Sequence, residues 1–294
     1  THLVESFKTT LDELNAADTF SAESAIDYQY CQATGTSCTS EQYDTWYRSN
    51  DQLGPETSEY TNIGAAWDIT DDIGLKVDYF MLSIDNAVTT KSVQALLTDE
   101  AQGEITAIGP NDTPTETFYL KRNSQGTLIE AGTGYYNTEE SLDIEGVDVS
   151  FYAGMETGFG DFRFNMMNSF ILEYGSDIDY AGTSDTPDHK ANATIAWVLG
   201  DNSLAFTSQF TASTSEFDVI DPVTGELDST GKLDSWLIHH VTYTYDAGKF
   251  GAITLQVNNL TNEDPVLSSF GTWDNASLYS NFGRDFRASY SISF

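Results

Sequence analysis

The feature that most constrains this chain is a hydrophobic period of two, repeated along most of its length. Ile63, Ala65, Trp67 and Ile69 alternate with Asn62, Gly64, Ala66 and Asp68. Leu75, Val77, Tyr79 and Met81 follow in the same manner, then Val147, Val149, Phe151, Ala153 and Met155. Phe162, Phe164, Met166, Phe170 and Leu172 share one parity, as do Ala191, Ala193, Ile195 and Trp197. Further rows are Leu204, Phe206 and Phe210; Val241, Tyr243 and Tyr245; Ile253, Leu255 and Val257. The last runs through Phe286, Ala288, Tyr290, Ile292 and Phe294, against Arg287, Ser289, Ser291 and Ser293. Successive strand side chains point to opposite faces, so each row predicts a strand with one greasy and one wet side. These are nine strands of about 10–16 residues, long enough to cross a bilayer when tilted.

The connections alternate as well. Asp71-Asp72, Glu156–Gly158, Gly200–Asn202 and Ala247–Lys249 are short turns rich in Gly, Asn and Asp, while 14–56, 89–140, 175–187, 217–232 and 264–283 are long and polar. With the chain end placed in the periplasm, every short turn falls on that side and every long connection outside. The pattern needs one more strand in the first residues, ending near Thr9-Thr10, which makes ten. Short turns on one side and long loops on the other predict an all-β, antiparallel, up-and-down transmembrane β-barrel. The reading takes 1–294 as one domain fragment, with 14–56 and 89–140 as long extracellular loops. A soluble β-sandwich explains the alternation equally well, but sandwich strands are shorter and their loops are not sorted by length. Open strand edges are not tolerated in hydrocarbon, so ten strands need the rest of a barrel or must close on themselves.

Composition excludes several classes. There are 46 Asp and Glu against 12 Lys and Arg, a net charge of −34. Phosphate backbones would be repelled, so no nucleic-acid partner is expected, nor a polybasic attachment to anionic lipid. With 20% charged and 13% aromatic residues the chain is too apolar for a disordered acidic tail. Its mean hydropathy of −0.33 reads as soluble, yet membrane barrels also average out as polar. The chain opens on Thr-His-Leu-Val-Glu, so a signal peptide is expected to be removed or to lie upstream. Cys31 and Cys38, separated by a Gly/Ser/Thr-rich spacer, suit a disulfide at a loop tip in an oxidising compartment, with two free thiols as the alternative.

Several segments carry a family resemblance. Ser49–Ser58 resembles an "N-x-x-L-x-P-E-x-S" stretch that precedes a strand, and Trp67–Phe80 is similar to the hairpin after it. Glu145–Phe151 looks like the "G-V-E/D" start of a descending strand, and Val257–Pro265 matches an "N-N-L-x-x-x-x-P" exit. Gly283–Phe294 is similar to a closing strand with its aromatic end, Tyr290 and Phe294 serving as barrel signature. Together these resemble the C-terminal part of the 22-stranded barrel of TonB-dependent outer-membrane receptors, without the plug domain. The resemblance implies a Gram-negative outer-membrane location and active uptake of a scarce ligand: siderophore, cobalamin, oligosaccharide or peptide. It implies as partners the TonB complex, reached through an absent plug, together with outer-membrane lipid and lipopolysaccharide. A secreted all-β binding or adhesion domain and a self-contained small pore are the alternatives.

No catalytic constellation stands out, so no enzyme is expected, and acidic pairs such as Asp71-Asp72, Glu139-Glu140 and Asp177/Asp179 are unremarkable among so many carboxylates. His239 and His240 are adjacent in a strand and point to opposite faces, so they cannot share a metal; His240 has the polar parity and could line the lumen. Asp221–Asp228 surrounds a Gly with carboxylates, but reads better as a loop hairpin than as a Ca2+ site. Trp67, Phe159, Phe162, Trp197, Phe250, Tyr290 and Phe294 suit interfacial girdles. Tyr28, Tyr30, Tyr43, Trp46, Tyr47, Tyr135, Tyr136, Trp273 and Tyr279 lie in outer segments and could stack on a ligand or pack loop against loop.

Overall fold

The computed structural model describes residues 2–7, 10–36, 38–176, 178–184, 186–220, 226–268 and 278–292. Along the chain, β1 (His2–Phe7) is followed by an excursion holding α1 (Leu11–Asn15), β2 (Thr19–Ala25), α2 (Tyr28–Thr34) and β3 (Glu41–Arg48). The hairpin β4 (Glu56–Thr70) and β5 (Ile73–Asp85) leads to a second excursion: β6 (Val88–Lys91), α3 (Val93–Gln102), β7 (Tyr119–Arg122) and β8 (Leu128–Asn137). Then come β9 (Leu142–Thr157), β10 (Gly160–Gly175), β11 (His189–Leu199) and β12 (Asn202–Thr211). A small hairpin, β13 (Phe217–Ile220) and β14 (Leu227–Thr230), precedes β15 (Trp236–Asp246), a 3-10 turn, β16 (Ala252–Asn258) and β17 (Asp285–Ser291).

Ten of these strands form one antiparallel sheet in the order β1-β4-β5-β9-β10-β11-β12-β15-β16-β17. This is the expected meander, and each hairpin closes at an expected short turn. The sheet is open, with β1 and β17 at its edges. Three strands are shorter than the sequence pattern suggests: β1 spans six residues, and β16 and β17 seven each. Register also departs from simple alternation at one place. A bulge between Ile171 and Glu173 releases Leu172 from the apolar parity and puts Glu173 opposite Glu145.

Cross-strand partners define the two faces. Trp67 faces Leu75, which faces Phe151; Phe162 faces Trp197, which faces Leu204 and then Tyr243. Asp78 faces Asp148, Asn192 faces Gln209, and Thr242 faces Gln256, which faces Arg287. The apolar face is uncovered: Ile63 is 69% exposed, Trp67 63% and Phe286 75%. A contiguous surface of that kind demands an apolar environment, since soluble monomers rarely expose more than a few hundred Å² of it. Among the described residues no helix is long and apolar enough to cross a membrane.

Aromatic side chains crowd the short-turn rim. Trp197 Nε1 donates to the Phe159 carbonyl at 2.8 Å and Tyr290 Oη to the Phe250 carbonyl at 2.6 Å. Gly160 makes the first contact feasible: its φ is +122°, and a Cβ there would stand 2.3 Å from Trp197 Nε1.

The two long excursions are not unstructured loops. They fold together into a five-stranded sheet, ordered β2-β3-β8-β6 with β7 also on β8. The joint is parallel, Thr45–Arg48 against Ala131–Gly134. The core of this excursion unit is Ala25, Tyr43, Val93, Leu96, Leu97, Leu120, Leu128 and Ala131. Each large apolar side chain buried here contributes about 1.5–3 kcal/mol. Gly132 is required at the joint, because a Cβ would lie 2.1 Å from the Tyr119 ring. At the base, Asn137 Nδ2 donates to Gly54 and Asn86 carbonyls and its Oδ1 accepts from Gly54 N–H at 2.7 Å, clamping both excursions to the wall.

Candidate ligand-binding surfaces

The excursion unit is held from inside by Arg122. Arg122 Nη1 meets Asp27 at 2.5 Å and the Gly126 carbonyl at 2.8 Å, while Nε and Nη2 engage Glu100 at 3.0 and 2.5 Å. Burial alone would favour losing the Arg122 proton, but the two carboxylates outweigh it and raise its pKa further. Asp27 also caps α2 by accepting from Tyr30 N–H at 3.1 Å. Cys31 and Cys38 form the expected disulfide, which ties the middle of α2 to the segment that follows the helix.

The aromatic candidates are distributed rather than gathered. Tyr43 is 6% exposed and Tyr279 1%, so both rings pack inside the protein and neither presents itself to a ligand; the outer core claims the first and Trp236 the second, edge-on at 5.7 Å. Tyr47 and Tyr135 meet edge-on at 5.3 Å; burial, then the contact with Tyr135, pushes the Tyr47 hydroxyl up to about 12. Tyr136 stands edge-on to Phe118 and under Lys91, and Trp46 edge-on to Phe20. Tyr30 accepts from Thr127 Oγ1 at 3.1 Å. Trp273 and Phe294 lie outside the described residues, as do Asp177 and most of the Asp221–Asp228 stretch weighed for Ca2+. Among the described residues no three His, Cys, Asp or Glu side chains are grouped to hold a metal.

On the polar face of the sheet, a hollow of about 530 Å³ lies between β12, β15, β16, β17 and the strap 278–283. Gln209, His240, Gln256, Asn258 and Arg287 line it. His240 stands on this face, with Nε2 3.3 Å from Gln209 Oε1 and Nδ1 3.4 Å from the Asn259 N–H. His239 is on the other face, 2.8 Å from Ser208 Oγ and stacked on Phe206. The strap is the part that sequence reasoning missed: it is pinned by Arg284 N–H on Asn262 Oδ1 and by the buried Tyr279. A family model described as "TonB dependent receptor-like, beta-barrel" matches residues 5–260.

The chain belongs to the TonB-dependent receptor β-barrel family. Among solved structures, the ferric enterobactin receptor of Pseudomonas aeruginosa superposes with a TM-score of 0.64 at 16% identity, covering 100% of this chain and 38% of that one. The siderophore receptor PirA of Acinetobacter baumannii gives 0.61 at 12% identity, over 99% of this chain and 38% of the receptor. PirA of Pseudomonas aeruginosa gives 0.53 at 15%, over 98% and 37%. At these identities the likeness establishes a shared fold. No curated protein sequence matches the chain. The chain spans well under half of the receptors it resembles, so this TonB-dependent-receptor segment is a part of a barrel wall with its two long excursions.

Proposed function

We propose that this stretch supplies ten wall strands and the outer binding unit of a bacterial outer-membrane receptor for energy-coupled uptake of a scarce ligand. The observation that carries the reading is the ten-stranded sheet whose greasy face is bare while its wet face bears Gln, Asn, Thr and Arg. Its edge strands then pair with further barrel strands, which satisfies the backbone groups that hydrocarbon would leave unpaired. The short-turn rim with its aromatic belt faces the periplasm, and the excursions face outward, beside lipopolysaccharide. TonB acts through a plug supplied by residues outside this stretch. The role is transport, not catalysis. Siderophore receptors among the structural relatives keep an iron chelate among the possible cargoes, beside cobalamin, oligosaccharide and peptide.

The test is expression of the full receptor containing these residues. Recovery in the outer-membrane fraction, with migration on a gel that shifts on heating, is the expected result. A monomer that stays soluble without detergent would overturn it.

A further inference from the structure

The long connections carry a surplus of negative charge. On each of the five long connections, carboxylates outnumber basic side chains. The basic residues of the two excursions are already engaged: Arg48 with Asp18, Lys91 with Asp99, Lys121 with Glu130, and Arg122 with Asp27 and Glu100. An approaching polyanion meets repulsion and finds no cation free to receive it on those excursions among the described residues.

Among the described residues of this acidic unit lies an uncharged recess. It sits between α2 and α3, has a volume of about 270 Å³, and its apolar lining is the buried Leu97 with the exposed Ala101. Gln29 and Gln32 reach it from one side, three positions apart and so on one face of α2. From α3 come Gln94, Thr98 and Gln102, again one helical face, and the Tyr28 ring stands at the edge. Gln94 is fixed in place, accepting from Ile26 N–H at 2.8 Å and donating to the Ile26 carbonyl at 3.2 Å, which leaves its second N–H for a ligand.

We propose that this recess is a capture site for a neutral, hydroxyl-rich ligand: a single ring of an uncharged oligosaccharide. Each amide offers an acceptor and two donors, the complement of vicinal hydroxyls that both give and accept. Tyr28 provides a flat apolar surface for a sugar's C–H face, and Leu97 excludes water beneath it. The volume lies just under the range of about 300–1,000 Å³ usual for drug-sized ligands, which fits one ring and not a bulky chelate. The helix that carries Gln29 and Gln32 is pre-organised, since α2 is held by the Cys31–Cys38 bond and by the Asp27 cap that Arg122 grips. The site deepens the receptor reading and rests on it, because capture is useful only on the outer surface of an uptake protein.

Saturation-transfer NMR on the full receptor in detergent tests the site, with maltohexaose, mannohexaose and galactohexaose as neutral probes and hexagalacturonate as the anionic one. At least one neutral probe should give saturation transfer, with hexagalacturonate weaker. The double substitution Gln32→Ala with Gln102→Ala should weaken the neutral probe by about tenfold, whereas Gln42→Ala, an exposed position of β3 outside the recess, should not. Failure of all three neutral probes, equal binding of hexagalacturonate, or a double variant that binds like the parent would each overturn the proposal. A heat-modifiable receptor that ignores the sugars sinks this site alone; a receptor that never reaches the outer membrane sinks the uptake reading instead.

Discussion

Ile195 offers a direct test of which solvent the wall faces. It sits in β11 with Phe164 and Phe206 as its cross-strand neighbours on the apolar face. The adjacent turn begins at Gly200, so Ile195 lies about five residues from the rim. At about 3.3 Å per residue that is about 16 Å along the strand, and a tilt of about 40° makes it about 12 Å of depth. Half of an apolar band about 25 Å tall is the same distance, which puts Ile195 close to the bilayer midplane. Ile195→Lys should therefore cost about 2–4 kcal/mol, the midplane penalty for a cation on a lipid-facing strand. Thr194, its neighbour on the polar face, shares a hydroxyl pair with Thr207 at 2.9 Å. Thr194→Lys should cost only about 1 kcal/mol, the worth of that bond. Urea titration of the full receptor folded into lipid vesicles, read by the heat-modifiable fraction, measures both. In a water-soluble sheet Ile195, already half exposed, would tolerate lysine within about 0.5 kcal/mol. Equal costs for the two variants would refute the assignment of faces.

Three other outcomes are expected. Arg122→Leu strands two carboxylates in the outer unit and should cost that unit about 3–5 kcal/mol, seen as proteolysis within 14–56 and 89–140 while the barrel band persists on the gel. Replacing Cys31 and Cys38 by serine should cost about 2.5 kcal/mol by loop-closure entropy, detected as faster cleavage around α2; unchanged cleavage would refute it. Burial alone would lift the Asp218 carboxyl, but hydrogen bonds from Ser215, Ser184 N–H and Ser229 hold it below the ordinary carboxylate range. Its stabilising contribution is present above that range and lost as pH falls through the lowered value, so amide exchange at Ser184 should quicken below about pH 4 in the parent and show no such acid step in Asp218→Asn.

The wall was legible because a period of two needs only neighbouring residues to show itself, and each strand pairs with the next wall strand. Even the ordering by loop length survives in the hairpins. The outer unit was not legible for the opposite reason. Thr45–Arg48 pairs with Ala131–Gly134 from the far side of a hairpin, a contact that no local pattern announces. Part of the unit had a signal nonetheless: Ser92 caps α3 through Ala95 N–H, and Gly103 ends it at φ +82°. That Ser-to-Gly bracket around an apolar stripe marks a helix inside what reads as a loop. The aromatic candidates show the limit of composition. Tyr43 and Trp46 belong to one strand, yet one is sealed and the other half open, a difference set by which face meets α3 and β8. The Leu172 bulge likewise has no sequence warning beyond the Glu173 that it turns outward.

The parallel seam between β3 and β8 also dictates an order of events. Neither excursion can complete its sheet before the β4–β5 hairpin between them has formed, because the seam's two halves flank that hairpin in the chain. Closure of this unit is thus expected to follow formation of that hairpin, and until the seam forms Leu96, Leu97 and Leu120 lack Tyr43 and Ala25, which complete their core.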